Sequence, residues 1–287
     1  MSSLSRYKFA IGYIICVAFV SVIREKLMLE ISPIVILFIS SSLACLYFHL
    51  INVKESVTIY KKFNHEQVLF VKLNLAVAIM WMTTYYSIYY SSATVFVYEF
   101  FMVGGYLSLV YRDRKNSSQK LAAHFFMVLI LAPFFIYKTQ MLGILLGILS
   151  GVFGFIYNIT SNNVALKLNL SASQVLASRF WFLVILSGIC LPKYFLQTLT
   201  LSDFIVIIII TALSFILQIW LNQKSILSIG GKESSFMASF APTLTFITQG
   251  IVLNHWFLPI LLLSFLGSVY IMYESILSSY KKVSYFN

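Results

Sequence analysis

Ten apolar runs, each close to the length of a bilayer span, follow one another along the chain with only short polar breaks: residues 8–23, 31–51, 68–90, 91–111, 121–137, 141–165, 172–191, 204–221, 234–253 and 256–277. An α-helix crosses the hydrocarbon core in about 20 residues at about 1.5 Å each. Within lipid a backbone satisfies its own polar groups only as a helix or a closed barrel, and unbroken apolar runs of this length favour the helix. The expected fold class is an all-α membrane protein of ten transmembrane helices. Charged residues make up 10% of the chain, against about 25% in soluble domains, so little is left over for a soluble domain. Arg6 and Lys8 lead into a first run too long for a signal-peptide core and without a small-residue cleavage site, so that helix is expected to remain in the mature protein.

The net charge of +11 raises the question of nucleic acid, and its distribution answers it. With alternate loops assigned to opposite sides, fourteen basic residues fall on one side: Arg6, Lys8, Lys54, Lys61, Lys62, Arg112, Arg114, Lys115, Lys120, Lys167, Lys224, Lys232, Lys281 and Lys282. The other side receives Arg24, Lys26, Lys138 and Lys193, while Lys72 and Arg179 lie within helices. Such an asymmetry is a topology signal, with the basic side cytoplasmic and both termini inside. The expected partner is the lipid bilayer, and nucleic acid is not. The polar interval 52–67 reads as a short interfacial loop or helix on the same side.

Ten helices divide into two sets of five, 1–139 and 140–287. An odd number per set inserts the second half upside down relative to the first, the inverted-repeat plan of many transporters with a site at the repeat interface. The pairs Ser91-Ser92 and Ser234-Ser235 open the fourth and ninth spans; aligning them sets Glu99 opposite Pro242.

One carboxylate, Glu99, interrupts the fourth span near mid-membrane. An ionisable group at that depth is costly unless paired, protonated or facing a wet cavity, and so marks a functional position. It reads as a partner for a substrate ammonium or as a proton-coupling carboxylate, against a structural ion pair or a permanently neutral side chain. Arg179, about eight residues into the seventh span, approaches the midplane from the other side. It either pairs with Glu99 or holds a substrate carboxylate through its two-pronged guanidinium. Trp81 and Tyr85, one turn apart, and Tyr98 beside Glu99 offer ring faces to a cation. Tyr157 and Asn158, with Gln218 and Asn222 four residues apart on one helix face, are polar candidates for a cavity wall. Gly143, Gly147 and Gly151, at four-residue spacing, with Gly154, permit close approach of a neighbouring helix. Cys16, Cys45 and Cys190 lie in apolar runs and read as small buried side chains. No metal-ligand spacing, nucleophile arrangement or P-loop occurs, so no enzyme activity, metal or cofactor is expected.

On these residues the chain resembles the drug/metabolite transporter superfamily, and most of all its ten-helix bacterial EamA-type permeases. The likeness rests on the five-plus-five layout, Ser32-Pro33 opening the second span, Arg179-Phe180 in the seventh where the family often carries Arg-Phe, and Ala238-Ser239-Phe240-Ala241-Pro242 in the ninth. The chain departs from it at Ile39, where the first half lacks the matching Arg, and at Glu99, which replaces a proline. The resemblance implies a central cavity, alternating access, and export or exchange of small metabolites across a bacterial inner membrane. The expected function is a secondary transporter, monomer or homodimer, of a small polar cationic or zwitterionic molecule, resembling an amino acid or amine, with proton coupling as one reading of Glu99. The alternatives are an exchanger of nucleotide-like metabolites and a non-transporting membrane partner such as a flippase accessory subunit.

Overall fold

The computed structural model describes residues 3–111, 117–195, 199–254, 256, 258–259, 261–267 and 270, which are helical almost throughout and hold no strand. In chain order the helices are α1 (Ser3–Met28), α2 (Pro33–Ile51), the short α3 (Ser56–Asn64), α4 (Gln67–Tyr90), α5 (Ala93–Val110), α6 (Ser117–Ile136), α7 (Met141–Leu168), α8 (Ala172–Ile189), α9 (Leu201–Ile229) and α10 (Gly231–Leu253). Eight of them, all but α3 and α6, are long and apolar enough to cross a membrane among the described residues. The fifth expected span falls within α6, whose apolar part is Met127–Ile136. Much of the tenth, 256–277, lies outside the described residues; residues 258–259 and 261–267 are helical.

The helices follow a membrane logic in which apolar side chains cover both faces and polar ones turn inward. On α1, Ile11, Ile15, Phe19 and Ile23 recur every fourth residue and are exposed, whereas Ser21 and Arg24 on the opposite face are buried. That exposed stripe suits lipid. α7 packs on α4 and α5 along its glycines. A Cβ on Gly143 would lie 2.6 Å from Ser91 Cβ, and one on Gly151 2.8 Å from the Phe100 carbonyl oxygen. The gap is closed by hydrogen bonds: Ser87 Oγ donates to the Gly143 carbonyl at 2.7 Å, and Thr84 and Ser150 share one at 2.7 Å. α1 in turn packs on α9 and α10, and α2 on α8 and α9.

The loops meet at two ends of the bundle. At one end α3 straps the α7–α8 connection: Lys62 Nζ donates to the Leu168 and Asn169 carbonyls at 2.9 and 3.2 Å, Lys167 pairs with Glu66, and Gln174 bonds Glu55. Lys232 reaches the Tyr111 carbonyl at 2.8 Å. These are segments that the basic-residue count places on a single side. At the other end the Glu25 carboxylate accepts the Ala93 N–H at 2.9 Å, and Thr94 bonds Gln249. Gly230, with φ of +89°, joins α9 to α10 in a single residue, a left-handed conformation that suits glycine.

Three spans are irregular at mid-length. α8 is interrupted at Ser178–Phe180, where the Ala177 and Ser178 carbonyls are taken up by Tyr60 Oη at 3.5 Å and Asn74 Nδ2 at 2.8 Å. α9 widens to π-helix over Thr211–Gln218. α10 breaks at Ser239–Phe240 ahead of Pro242, which has no N–H to continue the ladder. Non-helical backbone at membrane depth is tolerated where it is buried in protein or lines a cavity.

Candidate functional site

Two of the irregular segments, the break in α8 and the π-helical stretch of α9, give Arg179 and Gln218 to a cavity lined by α1, α4, α5, α7, α8, α9 and α10, with a volume of about 50 Å³. Two arginines stand in its wall. Arg179 projects from the break in α8 and Arg24 from the inward face of α1, and each is only 1% exposed. Arg24 lies over the Trp81 and Tyr85 rings at 5.2 and 5.1 Å; Arg179 lies over Tyr157 and Phe180 at 4.7 and 4.9 Å. Both guanidinium groups retain nitrogens without a hydrogen-bond partner, Nε and Nη2 of Arg24 and Nε and Nη1 of Arg179. Among the described residues no Asp or Glu is in the wall.

Those observations set the electrostatics. Ring faces return about 2 kcal/mol to a desolvated cation, whereas burying an ion costs several kcal/mol. Two buried cations with free donors and no counter-charge make a cavity that favours an anion. Besides Tyr13, Ser21 and Thr84, the polar wall holds a donor and acceptor set from α7, α9 and α10. Asn158 Nδ2 donates to Ser235 Oγ at 2.8 Å, Asn222 Nδ2 donates to Asn158 Oδ1 at 3.3 Å, and Gln218 Oε1 has no partner. Tyr157 Oη donates to Gln223 Oε1 at 2.7 Å, which fixes the ring beneath Arg179. Trp81 stacks on Phe215 with centroids 4.3 Å apart.

Of the residues singled out from the sequence, Arg179, Trp81, Tyr157, Asn158, Gln218 and Asn222 are in the cavity wall, and three are not. Tyr85 is buried behind Arg24. Tyr98 turns to α6, its hydroxyl donating to the Leu129 carbonyl at 2.8 Å. Glu99, 0% exposed, faces α7, where a Cβ on Gly147 would lie 3.0 Å from the Glu99 Cβ. Its two carboxyl oxygens have no hydrogen-bond partner, so it does not pair with Arg179 here. Helix rotation is the reason: Phe100 and Phe101 take the cavity face of α5, which leaves position 99 to α7.

Arg24 was counted from the sequence with the loop cations, and the structure corrects this, since α1 continues to Met28 and carries Arg24 inside the bundle. The signal was present as Tyr13, Val17, Ser21 and Arg24, a stripe spaced by four, four and three residues on one helix face, all in the cavity wall. Cys190, read as buried, is exposed, while Cys16 and Cys45 are half-buried.

No family model and no curated sequence matches the chain. A solved crystal structure of a protein superposes on it with a TM-score of 0.59, covering 94% of this chain and 95% of its own at 11% identity. At that identity the likeness is one of fold.

Proposed function

We propose that the protein is a secondary transporter whose central cavity takes a small organic anion bearing a carboxylate or phosphate. The observation that carries this reading is the pair of buried arginines, each keeping guanidinium nitrogens without a partner, in the wall of one cavity that holds no acidic side chain among the described residues. A carboxylate or phosphate accepts parallel N–H bonds from such a fork. A cationic or zwitterionic ligand was expected on the premise that Glu99 stood in the wall; with Glu99 turned to α7, the wall is cationic and the preference inverts. Trp81 and Tyr157, already occupied by the guanidinium groups, serve the anion by holding its receptors.

Alternating access finds support in the packing. α1 lies on α9 and α10 as α7 lies on α4 and α5, and α2 lies on α9 as α8 lies on α4. Exchanging the first four spans for the sixth to ninth maps these contacts onto one another, a pattern that supports the inverted-repeat reading. The basic asymmetry supports cytoplasmic termini, and the resemblance to EamA-type permeases supports a bacterial inner membrane. Two buried arginines in the wall of a central cavity also weigh against the non-transporting partner, which has no use for such charges.

A thermal-shift comparison of the detergent-purified protein with succinate, inorganic phosphate, glycine and choline tests the ligand class. A ligand at 100 times its Kd stabilises by about 2.7 kcal/mol. Succinate or phosphate is expected to raise the melting temperature and choline to leave it unchanged; stabilisation by choline alone would reject the anion reading.

A further inference from the structure

Glu99 has no part in the cavity, yet it is a buried titratable group at the centre of the α5–α7 contact. From α7 it is faced by Gly147; a Cβ there would also lie 3.1 Å from Ser87 Oγ of α4, whose hydroxyl donates to the Gly143 carbonyl rather than to the carboxyl. Its titratable neighbour Tyr98 spends its hydroxyl on Leu129 of α6. α1 and α10 meet α5 through Glu25 at the Ala93 N–H and Gln249 at Thr94, more than one helical turn away. Among the described residues no ion pair reaches the carboxyl, and neither of its oxygens accepts a hydrogen bond. An ionised carboxylate in such a place has neither donor nor counter-charge and is strongly disfavoured, so the closed arrangement holds Glu99 as the neutral acid.

We infer that Glu99 is a proton-binding site distinct from the substrate cavity, loaded and unloaded as α5 moves along the glycine face of α7. The link to the cavity is one residue long. Phe100 seats on Gly151 and Gly154, and all three are in the cavity wall. A ligand that displaces Phe100 therefore shifts α5 where Glu99 meets Gly147. When that contact opens to water on one side the carboxyl releases its proton, and it takes one up again when the contact opens on the other side. One proton is exchanged with water per cycle and no other bond changes. The inference rests on the transporter reading for its purpose, but not for its chemistry.

Infrared difference spectroscopy of the protein in liposomes, wild type against Glu99→Gln, reads the proton directly. The C=O stretch of a protonated carboxyl is expected in the wild type, absent from Glu99→Gln, and shifted on transfer to D2O. Glu99→Asp, which keeps the acid and moves the band, serves if Glu99→Gln does not fold. A band that is missing, or that does not shift in D2O, overturns the proposal, the first because the group is ionised and the second because its proton never exchanges. Succinate separates this site from the anion reading. A band that shifts in D2O while succinate neither stabilises the protein nor alters the shift leaves the proton site standing and rejects the anion. Succinate stabilisation with an unshifted band does the reverse.

Discussion

An arginine only 1% exposed with nitrogens that lack a partner is costly to folding, and the described residues hold two. The stacked rings offset about 2 kcal/mol each, less than the several kcal/mol of desolvation, so the charges are retained for something other than stability. Arg24→Met and Arg179→Met are expected to keep or raise the stability of the ligand-free protein, by about 1–3 kcal/mol, while abolishing stabilisation by succinate or phosphate. Arg179→Lys should keep the fold and lose most of the affinity, because an ammonium is a point charge without the planar fork. Thermal denaturation with and without the anion checks all three. A large loss of stability in the Met variants would show the arginines to be structural. Tyr13 stands in the cavity wall with Arg24, its ring edge-on to Phe101 at 6.1 Å.

At the scale of the element, the interruption of α8 and the glycine face of α7 are the features that place the site. The break contains neither proline nor glycine and depends on outside partners, Asn74 Nδ2 on the Ser178 carbonyl foremost. Asn74→Leu leaves that carbonyl unpaired at a cost of about 1–3 kcal/mol. It is expected to lower the melting temperature and, by loosening the backbone beside Arg179, to weaken anion binding about tenfold for each 1.4 kcal/mol lost from the complex. Equal stability losses with and without anion would assign Asn74 to folding alone. On α7, Gly151→Ala drives a methyl to 2.8 Å from the Phe100 carbonyl oxygen, backbone that cannot swing aside, for an expected loss of about 1–3 kcal/mol. Gly104 is also in the cavity wall, but a Cβ there meets nothing within 4 Å. Gly104→Ala should fold normally and reduce binding by narrowing the cavity, a contrast that chemical denaturation and the thermal-shift assay together would read.

Across the whole molecule, two sets of loops gather at opposite ends of the bundle. The strap of α3 across the α7–α8 connection belongs to the basic end, and the 191–195 segment, where Lys193 and Tyr194 are exposed, belongs to the other. In a background with Cys16, Cys45 and Cys190 replaced, an impermeant thiol reagent applied to intact cells is expected to label Lys193→Cys and to spare Ser56→Cys. The reverse pattern would invert the orientation drawn from the basic residues.

Eight of the ten expected spans, and their order, were legible in the sequence because a span has to be apolar over its whole length, a constraint imposed residue by residue by the lipid. The contact of α3 with the α7–α8 connection, two segments that the count sets on one side, is consistent with the same alternation. Irregular backbone was less legible: Pro242 marked the break in α10, whereas nothing in Ser178-Arg179-Phe180 announced one, since it is held open by Asn74 and Tyr60 from other helices. Rotation decided the site. Glu99 and Phe100 are neighbours in sequence and equally deep, but an α-helix turns about 100° between them, and only the packing of α5 against α7 determines which looks into the cavity. Arg24 came within reach of the sequence through its spacing to Tyr13, Val17 and Ser21. What set it in the cavity wall was tertiary: the continuation of α1 past it, and the packing that brings Arg24 and Arg179 into the wall of one cavity with no carboxylate among its described residues.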